Sequence, residues 1–445
     1  MSVKHPGLAL LLGLLACPMG CFGSSSSGNG AGGEFEDAGF DVSLPQGDAS
    51  AIDSGPALDG QGLDVGAVDA TGPSDTGAPT PDAAGDLHVT AVAVGASNMC
   101  VELPGHTAAC CGYDAEGQDG IGSTATVSTP TAVSGLSGVT AIAVSGLTSC
   151  AILTDTSVQC WGSNYEGELG VGNISSLKST TPVAVAGVTG AVALAMGGNH
   201  TCALVSGGTV DCWGDNFYGE LGNGTTTGPA TSMGGLPCNP TPAPVPGLPT
   251  ATAVVAGGGH TCALLADTTV SCWGENTFGQ LGNGSTGGNV PSPAAVAGLT
   301  GVTALAAGES HTCALLSAGT VECWGEGSNG QLGNGLATSS ATPVAVSTLT
   351  GVTAISSSSA FQGDTTCALL AGGTVSCWGL DSGYQLGNDA MTNANSPVAV
   401  PGVASATAIS VGSNGACAQL ADGTLRCWGN VGLGITSQTP APVSQ

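Results

Sequence analysis

Hydrophobic residues in this chain come in short runs separated by turn residues, and beyond the first sixteen positions no stretch repeats its apolar residues at helical spacing. One repeat shows the pattern plainly. Ala251-Thr-Ala-Val-Val-Ala is followed by runs at 261–265 and 269–273, and after a Gly- and Asn-rich loop by a fourth run at 293–296. β-Branched and small apolar residues bounded by Gly, Asp, Asn and Ser predict four strands joined by tight connections.

The same unit returns along the chain. Copies begin at Cys100, Cys150, Cys202, Cys262, Cys313, Cys367 and Cys417, each with a second cysteine ten residues later. Six of the seven continue into Trp-Gly, at Trp161, Trp213, Trp273, Trp324, Trp378 and Trp428. A fixed period near fifty residues with four strands per unit predicts an all-β, seven-bladed β-propeller over residues 87–445. With few other large aromatics, each tryptophan is the expected packing anchor of its blade.

The offset of ten has a physical reading. Two short runs split by a three-residue turn, such as Ser206-Gly207-Gly208, place residues i and i+10 opposite each other in a hairpin. The pattern therefore predicts one disulfide inside each blade: Cys100 with Cys110, Cys150 with Cys160, Cys202 with Cys212, Cys262 with Cys272, Cys313 with Cys323, Cys367 with Cys377 and Cys417 with Cys427. Zinc is the rival use of paired cysteines, but it wants closer spacing and a second pair or histidines nearby. Cys111 and Cys238 are left without an assigned partner.

Before the repeats the chain changes character. Lys4-His5 and an apolar run at 8–15 read as an export signal too short to span a bilayer as a helix. Leu14-Leu15-Ala16-Cys17 resembles the lipobox of bacterial lipoproteins, so residues 1–16 are the expected signal peptide and Cys17 the expected lipidation site. Cys21 is the alternative, since cleavage there leaves an even number of thiols; an ordinary cleaved signal is the third reading. Residues 17–86 are rich in Ser, Gly, Ala, Pro and isolated Asp, and predict a disordered acidic tether. Beyond Asp37 its carboxylates stand singly, not at the alternate positions of a calcium loop. The implied location is the bacterial cell envelope, at the outer membrane or cell surface, or the exterior, with disulfides to match.

Charge narrows the function. The formal net charge is −28, and only three residues of the whole chain are Lys or Arg. Such a surface repels phosphate backbones and anionic lipid, so nucleic acid and nucleotides are excluded as partners and the membrane is reached through lipid alone. No P-loop, Gly-x-Ser-x-Gly elbow or His-Glu-x-x-His is present. No cofactor, metal site or catalytic residue is expected.

Gly-x-x-His-Thr-Cys-Ala-Leu, Gly-Thr-Val-x-Cys-Trp-Gly and Gly-Gln-Leu-Gly-Asn-Gly, seen best at 257–284 and 308–335, resemble the repeat of the regulator-of-chromosome-condensation family. The resemblance covers about four-fifths of the chain and implies a seven-bladed propeller. It implies no single activity, since relatives include exchange factors for a small nuclear GTPase and secreted bacterial β-lactamase inhibitors. Exchange activity belongs to the cytosol or nucleus, which the export signal contradicts.

Three departures stand out. Repeat one has Cys111 in place of tryptophan and Gln118-Asp119-Gly120 in its loop, which predicts a less tightly packed blade; repeat seven is shortened after Trp428; repeat three carries an insertion at 225–246. His200, His260 and His311 share one slot, filled elsewhere by Asn98, Thr148, Thr365 and Gly415. That variety favours a turn-stabilising hydrogen bond over a shared metal.

Recognition by a rigid scaffold remains. Tyr165, Phe217, Tyr218, Phe278 and Tyr384 vary between fixed glycines in equivalent loops, and are the expected anchors for an unidentified protein partner of a monomeric propeller. The expected role is a binding scaffold, as an inhibitor or adhesion factor. The competing readings are an enzyme acting on polysaccharide through Glu166 and Glu220, the second of which sister copies replace with Gln, and a structural role in a surface layer.

Overall fold

The computed structural model describes residues 86–444 apart from 233, 360–362 and 435. The export signal, Cys17, Cys21 and the tether up to residue 85 lie outside the described residues. Seven antiparallel sheets follow one another along the chain, spanning 91–132, 139–184, 191–244, 251–295, 302–345, 352–399 and 406–442. We number them blades one to seven. Each innermost strand packs beside that of the next blade, and the last, Ala406–Val411, returns to the first, Ala91–Val94.

Within a blade the four strands run in sequence order outward from the axis. Blade four comprises Ala251–Ala256, His260–Leu265, Val270–Gly274 and Val290–Ala295. The outermost strand begins earlier than its apolar residues alone indicate, because Val290 pairs with Gly274 beyond a bulge. The outermost strand of every four-stranded blade contains proline, at Pro130, Pro182, Pro291, Pro343, Pro397 and Pro440. A residue with no N–H is tolerated at a sheet edge and blocks the addition of a further strand there.

The two middle strands carry the cysteines. Cys262 is in direct register with Cys272, and the same holds in every blade, with Cα atoms 4.0–4.1 Å apart in all seven disulfides. In blade three Val205 pairs with Thr209 across the three-residue turn at 206–208, the geometry that sets the ten-residue offset. Seven disulfides place the folded chain in an oxidising, extracytoplasmic compartment.

The tryptophans are fully buried, but they anchor the joints between blades and not only their own blade. Trp273 Nε1 donates to the Glu220 carbonyl of blade three at 2.7 Å, and Trp161, Trp213, Trp324, Trp378 and Trp428 each donate in the same way to the preceding blade. The loop glycine two residues beyond the accepting carbonyl explains its own fixity. Gly282 has φ +65°, and a Cβ there would stand 2.7 Å from Trp324 Nε1.

The ring closes between blades seven and one. Leu87 N–H donates to the Val443 carbonyl, Val89 N–H to the Gly423 carbonyl, and Asp86 bridges Ser444. Cys111 is wholly buried there, with Leu87, Met99, Val431 and Val443 in the same core cluster. The expectation of a looser first blade is corrected: at the seam, residues of both chain ends fill the space that tryptophan fills elsewhere. Cys111 and Cys238 are both buried free thiols and do not bridge. The blade-three insertion adds a short fifth strand, Ala230–Thr231, against Pro237–Pro244.

Candidate functional site

Because strands alternate in direction, the connections after the first and third strands of every blade emerge on one face of the ring. The longer of these connections share a construction. Asn276 Oδ1 accepts the Leu281 N–H, and Gln280 Oε1 accepts the Phe278 N–H at 2.9 Å. Asn164, Asn216 and Asp381 repeat the first bond, while Glu168, Glu220, Gln331 and Gln385 repeat the second with Glu166, Tyr218, Asn329 and Gly383. Glu and Gln are therefore interchangeable loop braces at this position, and the residues between them vary freely.

The shorter connections near the axis are joined by backbone. Gly258 N–H donates to the Glu309 carbonyl, and Glu309 N–H to that of Gly363. Under this lip the histidines link blades. His200 Nε2 lies 2.9 Å from Thr261 Oγ1, His260 Nε2 2.9 Å from Thr312 Oγ1, and His311 Nε2 2.7 Å from Thr366 Oγ1. The turn-stabilising role expected of this slot is thus corrected to a bond with the following blade. Ser359 Oγ donates to the Met196 carbonyl on the far side of the ring, across the mouth of the central channel.

A cavity of about 450 Å³ opens on this face above blades two to five, lined by Leu147, Asn199, Tyr218, Gly259, Glu275, Phe278, Glu309 and Ser310. Its size suits a small ligand or a single large side chain. All five aromatic residues expected from the sequence lie on the connections of this face, but they divide. Tyr218 and Phe278 line the cavity, and Phe217, 42% exposed, meets Tyr218 edge-on with centroids 4.8 Å apart. Tyr165 donates its hydroxyl to Glu116 of blade one, and Tyr384 accepts from Gln438 of blade seven, so both are tied to neighbours. Leu147, Asn199, Glu275, Glu309 and Ser310 escaped the sequence reading; the shorter connections that supply most of them hold no aromatic residue to draw attention.

The site is acidic as well as aromatic. Burial first, then the carboxylates of Glu275, Glu220 and Asp215, push the Tyr218 phenol above its ordinary range. Burial, then Asp364 and Glu275, raise Glu326, and burial with Glu166 nearby raises Asp215 to about 6. Glu168, wholly buried beside Glu166, is pushed up to about 8, burial being the larger cause. Asp215, Glu275, Glu326 and Asp364, near enough to influence one another or Tyr218 in this way, form an acidic arc across blades three to six.

Comparison with known proteins places the architecture. The chain is 32% identical over 212 residues to the probable E3 ubiquitin-protein ligase HERC4 of Homo sapiens, covering 47% of this chain and 19% of that protein. It is 34% identical over 200 residues to the RCC1 domain-containing protein RUG3, mitochondrial, of Arabidopsis thaliana, covering 44% and 43%. The alignments thus span less than half the length of either relative. In the crystal structure of Kap60 bound to yeast RCC1 (Prp20), a likeness with TM-score 0.63 and 22% identity covers 73% of this chain and 78% of that one, a likeness of fold. The model of the RCC1-like domain family matches residues 59–418. With seven disulfide-pinned blades, six of their seven joints made by tryptophan in the same register, the chain belongs to the RCC1-like domain family.

Proposed function

We propose that this protein is an extracytoplasmic binding scaffold, held to the cell envelope by lipid at Cys17 or Cys21, that docks a protein partner on the face carrying the cavity. The observation that carries the reading is the convergence of Tyr218, Phe278 and Leu147 on one opening, with the two aromatic-bearing connections braced by internal hydrogen bonds. Aromatic anchors on rigid supports give binding area at little entropic cost. Yeast RCC1 offers a parallel for the fold, having been solved with Kap60 bound. The same braces weaken the polysaccharide-enzyme alternative, since Glu220 spends its carboxylate on the Tyr218 N–H as Gln280 does on Phe278.

The test is a pull-down of native partners with the full chain, comparing wild type with Tyr218→Ala plus Phe278→Ala. A partner lost on the double substitution supports the docking face, while a partner kept by the variant, or glycan cleavage by the wild type, overturns it. Labelling with radioactive fatty acid, lost on Cys17→Ala or Cys21→Ala, tests the anchor; an unlabelled wild type removes it.

A further inference from the structure

The cavity has a floor made by absence of a side chain. A Cβ at Gly259 would stand 2.8 Å from Tyr218 Cδ2 and 3.0 Å from Glu275 Oε2, so an aromatic ring and a carboxylate oxygen border the same small space. Glu275 is fixed from its other oxygen, which accepts the Thr277 hydroxyl at 2.8 Å. Phe278 and Leu147 supply apolar walls. A carboxylate beside aromatic rings and an apolar wall matches the chemistry of a long cationic side chain: the stem lies on apolar surface and the carboxylate receives the head group, to which the rings add attraction.

Among the described residues no Lys or Arg is free to fill the space. Lys178 is bonded to the Ala115 carbonyl at 2.9 Å and stands 3.7 Å from Glu116, and Arg426 stands 3.9 Å from Asp86. Residues 17–85 contain aspartates and glutamates with no Lys or Arg to offer. These segments leave the complement to another molecule.

We infer that the cavity bordered by Tyr218, Glu275 and Phe278 receives one lysine or arginine side chain from a basic segment of the protein partner. This rests on the docking-face reading and gives that partner its chemistry. The arc from Asp215 to Asp364 steers the basic segment inward, and the single cavity fixes its register.

The test uses the full chain and fluorescein-labelled peptides of four Gly-Lys, Gly-norleucine or Gly-Glu repeats, read by anisotropy at low salt. The lysine peptide is expected to bind, with the norleucine and glutamate peptides at least about tenfold weaker. Glu275→Gln weakens the lysine peptide about tenfold, as does Tyr218→Ala; Tyr218→Phe, which keeps the ring, retains most of the affinity. Asp267→Asn, on a turn of the opposite face, leaves it unchanged. The inference is overturned by failure of the lysine peptide to bind, by equal binding of norleucine, or by equal behaviour of Glu275→Gln and Asp267→Asn. A native partner kept by Glu275→Gln but lost on Tyr218→Ala plus Phe278→Ala sinks the cation pocket and leaves the docking face standing. A partner kept by both variants sinks both.

Discussion

His260 Nε2 and Thr312 Oγ1 lie 2.9 Å apart across the joint between blades four and five, and the Thr312 hydroxyl donates a hydrogen bond to the Gln280 carbonyl at 3.0 Å. Since the threonine proton is committed, the histidine must donate, which assigns the neutral Nε2–H tautomer. Burial foremost, then His200 and His311, lowers the pKa of His260 to about 3, against an unperturbed value near 6.5.

A folded pKa below the unfolded one means the native state binds fewer protons, so this contribution is complete above about pH 6.5 and drains away as pH falls toward the folded value. His260→Asn, the residue blade one uses at Asn98, is expected to cost about 1–2 kcal/mol at pH 7.5. That cost should shrink steadily down to pH 4. Urea melts of both proteins at several pH values give the comparison; a gap independent of pH would show that the imidazole does not titrate with unfolding.

Glu168 carries the opposite sign. Its folded pKa of about 8 is raised, so its contribution is present below about pH 4.5 and is lost as pH rises toward 8. Glu168→Gln installs the brace used at Gln280 and Gln331 and should stabilise the protein at pH 8 by on the order of 1–3 kcal/mol. Thermal melts at pH 8 and pH 4 should show the gain at the first and none at the second.

Restoring tryptophan to blade one is expected to fail. Cys111 is fully buried in the seam cluster, and a Cβ at the nearby Gly432 would already stand 2.7 Å from Gly112 Cα. Cys111→Trp should therefore destabilise by about 1–3 kcal/mol through overpacking, although six sister blades carry that residue. Trp273→Ala, which empties a joint, should cost about 3–5 kcal/mol. Denaturant midpoints rank the two; a Cys111→Trp protein more stable than wild type would refute the account of the seam.

Alkylation of the denatured, unreduced chain should tag Cys111 and Cys238 and whichever of Cys17 and Cys21 survives processing without lipid, and no blade pair. Cys262→Ala plus Cys272→Ala should lower stability by up to about 3 kcal/mol, the loop-entropy estimate for so short a ring. Peptide mapping that found cysteines joined between blades would contradict the register of Cys262 with Cys272.

The blade was legible because it is a local object. Ten residues between Cys262 and Cys272, a three-residue turn and Trp-Gly fix a hairpin without reference to anything distant. What the repeat does to its neighbour was not. Trp273 reaching Glu220 and His260 reaching Thr312 are contacts between copies, and a periodic sequence looks the same whichever copy a side chain leans toward. The opening was legible by half: Tyr218 and Phe278 stand out as variable aromatics in fixed frames. Glu275 and Gly259 matter through the space they share, which only the closed ring creates.

The bond from Leu87 to Val443 has a consequence in time. The two residues sit at opposite ends of the propeller sequence, and the first has left the ribosome long before the second arrives. Blades can be hairpinned and oxidised one by one on the way out, but blade one must wait with an open flank until the final strand is delivered. The arrival of that last segment is therefore the step that turns a row of sheets into a finished circle, and chains cut short of it would present that flank to whatever holdase guards the compartment.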